Sequence, residues 1–330
     1  MKKILINEAS ALCIRKLMNV GVPQNEAEIM ADVLISTDRR GVHSHGLTAL
    51  KRYVDLILNG FMRPDAKIDV LRSFGAVEVW DGNRSSGQYL GVRAMEKAIK
   101  LAAVNGIGAV AVSHGNHFGA GAYYAQLAEK KDMIGIALSS GCPVMAPYGG
   151  ADLALGNNPA AVAVPTDEEF PPVVLDMAQS IVAKGKIMDL IRDGAEILPE
   201  GWALDRDGRP TTDPEAFYAV APAAGYKGYG LAVILDVLSG ILFGGQTGDR
   251  AEDLQEGPSF LMLAFRIDAF RDPADFKKDM TERIRELKSV RPAAGSDGVL
   301  MPGERSAISE QRCREYIELD EKALAYLRQA

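Results

Sequence analysis

Ile107-Gly108-Ala109-Val110-Ala111-Val112, followed by Ser113-His114-Gly115-Asn116-His117-Phe118-Gly119-Ala120-Gly121-Ala122-Tyr123-Tyr124, is the stretch on which the fold turns. Its first six residues carry no polar interruption and predict a short buried strand. A strand that runs into Gly119-Ala120-Gly121 and then a helix, expected over 121–129, has the outline of a dinucleotide fingerprint. Tyr124 stands where the third glycine or alanine belongs, and no acidic strand end follows at the required distance. The doubly wound dinucleotide fold is therefore excluded, and the glycines are expected to serve close helix packing.

Outward from this stretch, helix and strand signals alternate. Val92, Met95, Ile99 and Ala102 mark a helix closed by Asn105-Gly106. Strands are predicted over 134–139, 160–164, 173–175 and 260–265, and helices over 181–191, 230–243 and 273–287. Such alternation argues for an α/β fold. The first sixty residues look helical instead. Asn7 is expected to cap a helix bearing Ala11, Ile14, Leu17 and Met18 and ended by Gly21, and Asn25 with Glu28 resembles a capping box for a second, stopped by Gly41. A third helix is expected from near Gly46 to Asn59-Gly60. The segments 198–217 and 244–257, rich in Gly, Pro, Thr and Asp, are expected to be loops.

The chain of 330 residues is 47% hydrophobic and 25% charged, with a mean hydropathy of -0.02. That composition excludes a disordered, collagen-like or disulfide-stapled protein. Its net charge of -7 disfavours nucleic acid as a partner. Cys13, Cys142 and Cys313 are odd in number and far apart, which suits a reducing compartment, and cytoplasmic localisation is expected. The longest apolar segment, 230–245, is too short to span a bilayer and carries Asp236, so no membrane role is expected.

All four histidines fall in two pairs, His43 with His45 and His114 with His117, in stretches rich in Gly, Ser and Asn. Two chemistries use such pairs. They can ligate a metal, as in a hydrolase, with Asp38 or Asp176 as the nearest candidate carboxylates. Alternatively, one or two can exchange protons, for which an ordinary pKa of about 6.5 is suited. Spacing alone leaves both open. Lys227, held among glycines in Gly225-Tyr226-Lys227-Gly228-Tyr229-Gly230 before an apolar helix, is a further candidate anion contact.

Nine motifs occur in order along the chain: Arg40-Gly41-Val42-His43-Ser44-His45-Gly46, Asn116-His117-Phe118-Gly119, Ala146-Pro147-Tyr148-Gly149-Gly150, Gly156-Asn157-Asn158-Pro159, Asp176-Met177-Ala178, Ala183-Lys184-Gly185-Lys186, Gly201-Trp202-Ala203, Gly225-Tyr226-Lys227-Gly228 and Pro302-Gly303-Glu304. With them the chain resembles the type-2 malate/L-lactate dehydrogenase family. These are NAD(P)-dependent oxidoreductases that include ureidoglycolate, sulfolactate and 2,3-diketogulonate enzymes and a cyclic-imine reductase. The resemblance implies an α/β fold with a mixed sheet, a homodimer or larger homo-oligomer, and hydride transfer between NAD or NADP and a small 2-hydroxy or 2-oxo acid or related imine. It implies three segments: a helical region, 1–65, contributing substrate-site residues; a central α/β cofactor-binding region, 66–270; and a C-terminal segment, 271–330, packing back on the first.

By the same resemblance, His117 and His45 are rival proton donors, with Ser44 donating to the substrate or orienting His45. Ser140, Val174, Leu175, Asp176, Met177, Ala178, Lys227, Gly228, Pro302, Gly303 and Glu304 fall on cofactor-contacting stretches. No metal is implied. The family commonly has an arginine where this chain has Ala49, leaving Arg52, which also matches a family arginine, to reach a substrate carboxylate. Gln179 replaces a usual threonine, and His43 and His114 stand where other residues are usual. The alternatives carried forward are a metal-dependent hydrolase using the paired histidines, and a non-catalytic binding protein on the same fold.

Overall fold

The computed structural model describes residues 1–248 and 257–329. The chain opens with strand β1 (Lys2–Leu5) and helices α1 (Ile6–Met18), α2 (Gln24–Arg39) and α3 (Leu50–Leu58). Between α2 and α3 lie two tight helical turns, His43–His45 and Leu47–Ala49, where a plain helix start was expected. Neither expected asparagine cap forms. Asn7 sits inside α1, whose first amide, on Ile6, donates to the Glu315 carbonyl. Asn25 sits inside α2, which Pro23 precedes, and Gln24 rather than Asn25 engages Glu28.

The central region runs β2 (Asp69–Phe74), β3 (Val77–Asp81), α4 (Gly87–Asn105), β4 (Ile107–Ser113), α5 (Gly121–Glu129), β5 (Met133–Ser139), β6 (Ala160–Val164) and β7 (Val173–Met177). Then come α6 (Lys184–Arg192), three two-residue strands, β8 (Ala203–Leu204), β9 (Pro210–Thr211) and β10 (Ala219–Val220), and α7 (Tyr226–Ser239). The expected loop 198–217 thus contributes to a small sheet of order β10-β8-β9. The expected helix over 230–243 begins earlier and breaks at Gly240. Part of the expected loop 244–257 lies outside the described residues.

The chain closes with β11 (Phe260–Arg266), α8 (Pro273–Ser289), α9 (Glu304–Arg312), β12 (Tyr316–Leu319) and α10 (Glu321–Arg328). Asp272 starts α8 by accepting from the Ala274 and Asp275 amides, with Pro273 in the first turn, where its missing N–H costs nothing.

The main sheet has the order β2-β3-β4-β11-β5-β6-β7. Only β3 and β4 run parallel; β11 lies antiparallel between β4 and β5, with Met262 opposite Val110 on one side and Ala137 on the other. A doubly wound fold would set β4 beside β5, so this inserted strand is the structural counterpart of the broken fingerprint. Tyr124, the residue that broke it, is fully buried, and its hydroxyl donates to the Phe118 carbonyl, bracing the loop that carries His117.

Two cores meet beside that loop. One joins the sheet to α4 and α5 through Leu90, Met95, Val110, Val112, Tyr124 and Phe260. The other joins the N-terminal helices to the end of the chain through Leu17, Met30, Leu50, Tyr53, Ile317 and Leu327. Each fully buried aliphatic side chain contributes about 1.5–3 kcal/mol. β1 pairs antiparallel with β12, Ile4 against Ile317, so residues near both ends of the chain close the helical lobe.

Candidate active site

A cleft of about 620 Å³ opens along the seam between the two cores. Its walls come from the turn after α2, the face of α3, the loop from β4 to α5, the end of β5, β7 and the residues leading into α9.

The turn after α2 is held by Asp38. This buried carboxylate accepts from the Leu47 amide at 2.7 Å and from Nδ1 of His43 at 3.0 Å. Burial raises its pKa, and the two hydrogen bonds work against that rise. Gly46 passes so close that a Cβ there would lie 2.2 Å from the carboxylate, so only glycine fits. The turn then presents His45 to the cleft, with Ser44 Oγ 2.8 Å from its Nδ1. Nε2 is left as the nitrogen for a ligand.

The β4–α5 loop is fixed from below. Asn116 donates to the Arg84 and Ser85 carbonyls. Gly87, the first residue of α4, lies where a Cβ would meet the Asn116 carbonyl oxygen at 2.1 Å and the His117 backbone at 2.6 Å. His117 therefore stands in one place, with Nδ1 2.8 Å from the Tyr53 hydroxyl.

The ring centroids of His45 and His117 are 5.5 Å apart. Burial, and then the positive charge of Arg52, lowers the His45 pKa. Burial, Arg52 and then His45 push His117 well below its ordinary value. Both imidazoles are thus held neutral near pH 7, ready to accept a proton. Arg52 lines the cleft beside them.

The structure brings together Ser44, His45, Arg52, His117, Ser140, Val174, Leu175, Asp176, Met177, Ala178, Pro302 and Gly303 on one cleft. It does not bring Lys227, Gly228 or Glu304 to that lining. Lys227 is exposed, and Gly228 is wedged against the Ala223 and Gln179 carbonyls. Glu304 accepts from Lys288 at 2.7 Å and from the Met301 amide at 2.8 Å, steadying the start of α9.

Two lining residues have their polar atoms engaged by the fold. Ser140 Oγ donates to the Gln246 or Ser259 carbonyl and accepts from the Ser259 amide. Asp176 accepts from the Ala122 amide in the first turn of α5, the capping role rather than a bond to an imidazole.

His43 and His114 do not line the cleft; each pairs with a carboxylate at 3.0 Å, Asp38 and Asp81 respectively. Among the described residues no three His, Cys, Asp or Glu side chains converge as a metal site requires. The four imidazoles therefore do not form the shared ligand set that the hydrolase alternative needed. Sequence reading passed over Tyr53, whose burial in a helix looks like any core tyrosine, and Arg40, a buried lining residue visible only as part of a motif.

The chain matches the malate/L-lactate dehydrogenase family model over residues 4–328. It is 38% identical to a malate dehydrogenase of Pyrococcus horikoshii over 328 residues, covering 95% of this chain and 90% of that protein. It is 34% identical to an Escherichia coli K12 ureidoglycolate dehydrogenase (NAD(+)), covering 94% and 91%. With a (2R)-3-sulfolactate dehydrogenase (NADP(+)) of Chromohalobacter salexigens it shares 38% identity, covering 99% and 97%. The solved structure of the sulfolactate dehydrogenase from Methanocaldococcus jannaschii superposes with a TM-score of 0.91 at 35% identity, covering 99% of this chain and 96% of that one. A dehydrogenase cleft on a mixed sheet is what fold and family together define. The chain belongs to the malate/L-lactate dehydrogenase family, whose members act on 2-hydroxy acids.

Proposed function

We propose that the protein interconverts a 2-hydroxy acid and its 2-oxo acid, or a related imine, with NAD(H) or NADP(H), using His117 and His45 for the proton and Arg52 for the carboxylate. The observation that carries this reading is the meeting of His45 and His117, 5.5 Å apart, from two separate lobes in one cleft with Arg52.

The cleft suits a nicotinamide. Gly119, Gly121, Gly141 and Gly303 bring main chain to its wall, Val174, Leu175 and Met177 give it an apolar strip, and its volume is in the range of cofactor sites. When bound, the nicotinamide supplies or accepts the hydride. The protein's share is to hold the acid by the Arg52 guanidinium, to set an imidazole Nε2 at the substrate oxygen, and to keep water from that oxygen by burial. His117 is the leading acid in reduction and base in oxidation, with His45 donating a hydrogen bond to the same oxygen.

Adding NADH and NADPH separately with a panel of 2-oxo acids and cyclic imines tests the reading. Cofactor oxidation with at least one substrate is expected. His117→Ala should bind reduced cofactor and lose turnover. Cofactor binding with no turnover of any substrate would favour the non-catalytic binding protein.

The homodimer implied by the resemblance is proposed to bury the outer face of α7. Ala232, Leu235 and Asp236 face inward there, while Leu231, Ile234 and, beyond Gly240, Ile241 and Leu242 are more than half exposed. Tyr226–Phe243 is apolar enough to cross a membrane by composition, but its continuous helix is only 14 residues, and buried Asp236 accepts from Asn158 Nδ2 at 2.7 Å. An apolar patch of this kind favours a protein contact. Light scattering should give a dimer, and Ile234→Asp a monomer.

A further inference from the structure

We infer that the cleft selects acids carrying a single negative charge and an uncharged tail, an inference that rests on the dehydrogenase reading above. The argument is a census of charge around the paired imidazoles.

Among the described residues two strong cations, Arg40 and Arg52, line the cleft. Arg40 is 8% exposed and faces Glu310 at 3.6 Å, so its charge is already met. Arg52 pairs with no carboxylate among the described residues, and its field falls on His45, His117 and Tyr53. The imidazoles, held neutral by burial and Arg52 until one takes up the proton for reduction, direct that proton to the substrate oxygen and not to a second carboxylate. Asp176, the one carboxylate on the wall among the described residues, is committed to the Ala122 amide. Among the described residues one uncommitted cation therefore stands beside the paired imidazoles, and one substrate carboxylate satisfies it.

Along its own helix face Arg52 is flanked by apolar residues. Ala49 lies three residues before it and Leu56 four residues after, so all three share one helical face. Leu56 and Val42 line the cleft with Arg52. A second carboxylate, or a sulfonate, on the tail of the acid would lose its water against Leu56 and Val42 and gain no partner in return. An ion left unpaired on burial is penalised heavily, whereas an alkyl tail gains from the same surface.

The test compares kcat/KM for 2-oxobutanoate and 4-methyl-2-oxopentanoate with that for oxaloacetate and 2-oxoglutarate, using whichever reduced cofactor binds. The uncharged tails are expected to lead by at least about tenfold. Equal or better use of the dicarboxylates overturns the inference. Ala49→Arg places a second cation one turn from Arg52 and should shift the ratio at least about tenfold towards the dicarboxylates. Leu56→Lys does the same from the other flank, and an unchanged ratio in both variants overturns the assigned face. If reduced cofactor binds but no acid is turned over, the dehydrogenase reading fails. Calorimetric titration of the same acids then decides the charge question alone, tighter binding of oxaloacetate than of 2-oxobutanoate counting against it.

Discussion

The Tyr53 hydroxyl lies 2.8 Å from Nδ1 of His117, so a residue at the centre of the helical core holds an imidazole carried by the sheet. Burial pushes the Tyr53 pKa up to about 12, which keeps the phenol protonated. With its oxygen accepting from Nδ1–H, Tyr53 favours the tautomer that leaves the Nε2 lone pair free to take up a proton. Tyr53→Phe keeps the ring in the core and removes the hydroxyl that meets Nδ1. The expected result is a fall in kcat of about tenfold or more, in line with one lost hydrogen bond of roughly 1.5 kcal/mol, at unchanged NADH affinity. A parallel loss of cofactor binding would assign Tyr53 to structure alone.

The lowered histidine pKa values set a pH profile. Oxidation needs a neutral imidazole, and because His45 and His117 titrate below 6.5 its rate should hold as pH falls through 6.5 and drop only further down. Reduction needs a protonated imidazole, so its rate should climb over the same interval. Arg52→Gln removes a charge that depresses both groups, and the break in the oxidation profile should then move up towards 6.5. A break that stays in place would assign the depression to burial alone.

Gly87→Ala tests how firmly the loop that carries His117 is set. Its methyl group would collide with the Asn116 carbonyl and the His117 backbone, neither of which is the end of a flexible side chain. A displacement of about 1 Å is enough to cost about a hundredfold in rate. Turnover should fall by that order while circular dichroism still reports a folded protein.

Asp176→Ala should lower stability by about 1 kcal/mol, the usual worth of a helix cap, because the Ala122 amide loses its acceptor. Asp176→Asn retains an acceptor and should recover most of the loss. Thermal denaturation of the three proteins checks this. A large loss of activity in Asp176→Asn at unchanged stability would show a chemical role instead.

Legibility in the sequence followed burial. β4, α5 and β6 could be bounded to within a residue, because their residues face a core and carry its periodicity. β2 passed unread: all six of its residues are exposed, so no apolar alternation marks it. The place of β11 between β4 and β5 is a long-range pairing that no local signal encodes. In the site, the two histidine pairs stood out by spacing, but which member of each faced the cleft depended on Asp38 and Asp81, one five residues away and the other on a neighbouring strand. Tyr53 is invisible for the same reason, its partner being 64 residues distant.

The pairing of β1 with β12 has a consequence for synthesis on the ribosome. Every strand of the sheet that carries His117 has been made by Arg266, whereas the lobe that presents His45 is closed by Tyr316–Leu319. A nascent chain can therefore assemble one half of the proton-handling pair long before the other. Catalytic competence should arrive abruptly, once Tyr316–Leu319 are free to pair with β1, and disrupting that pairing should silence the enzyme from about 270 residues away.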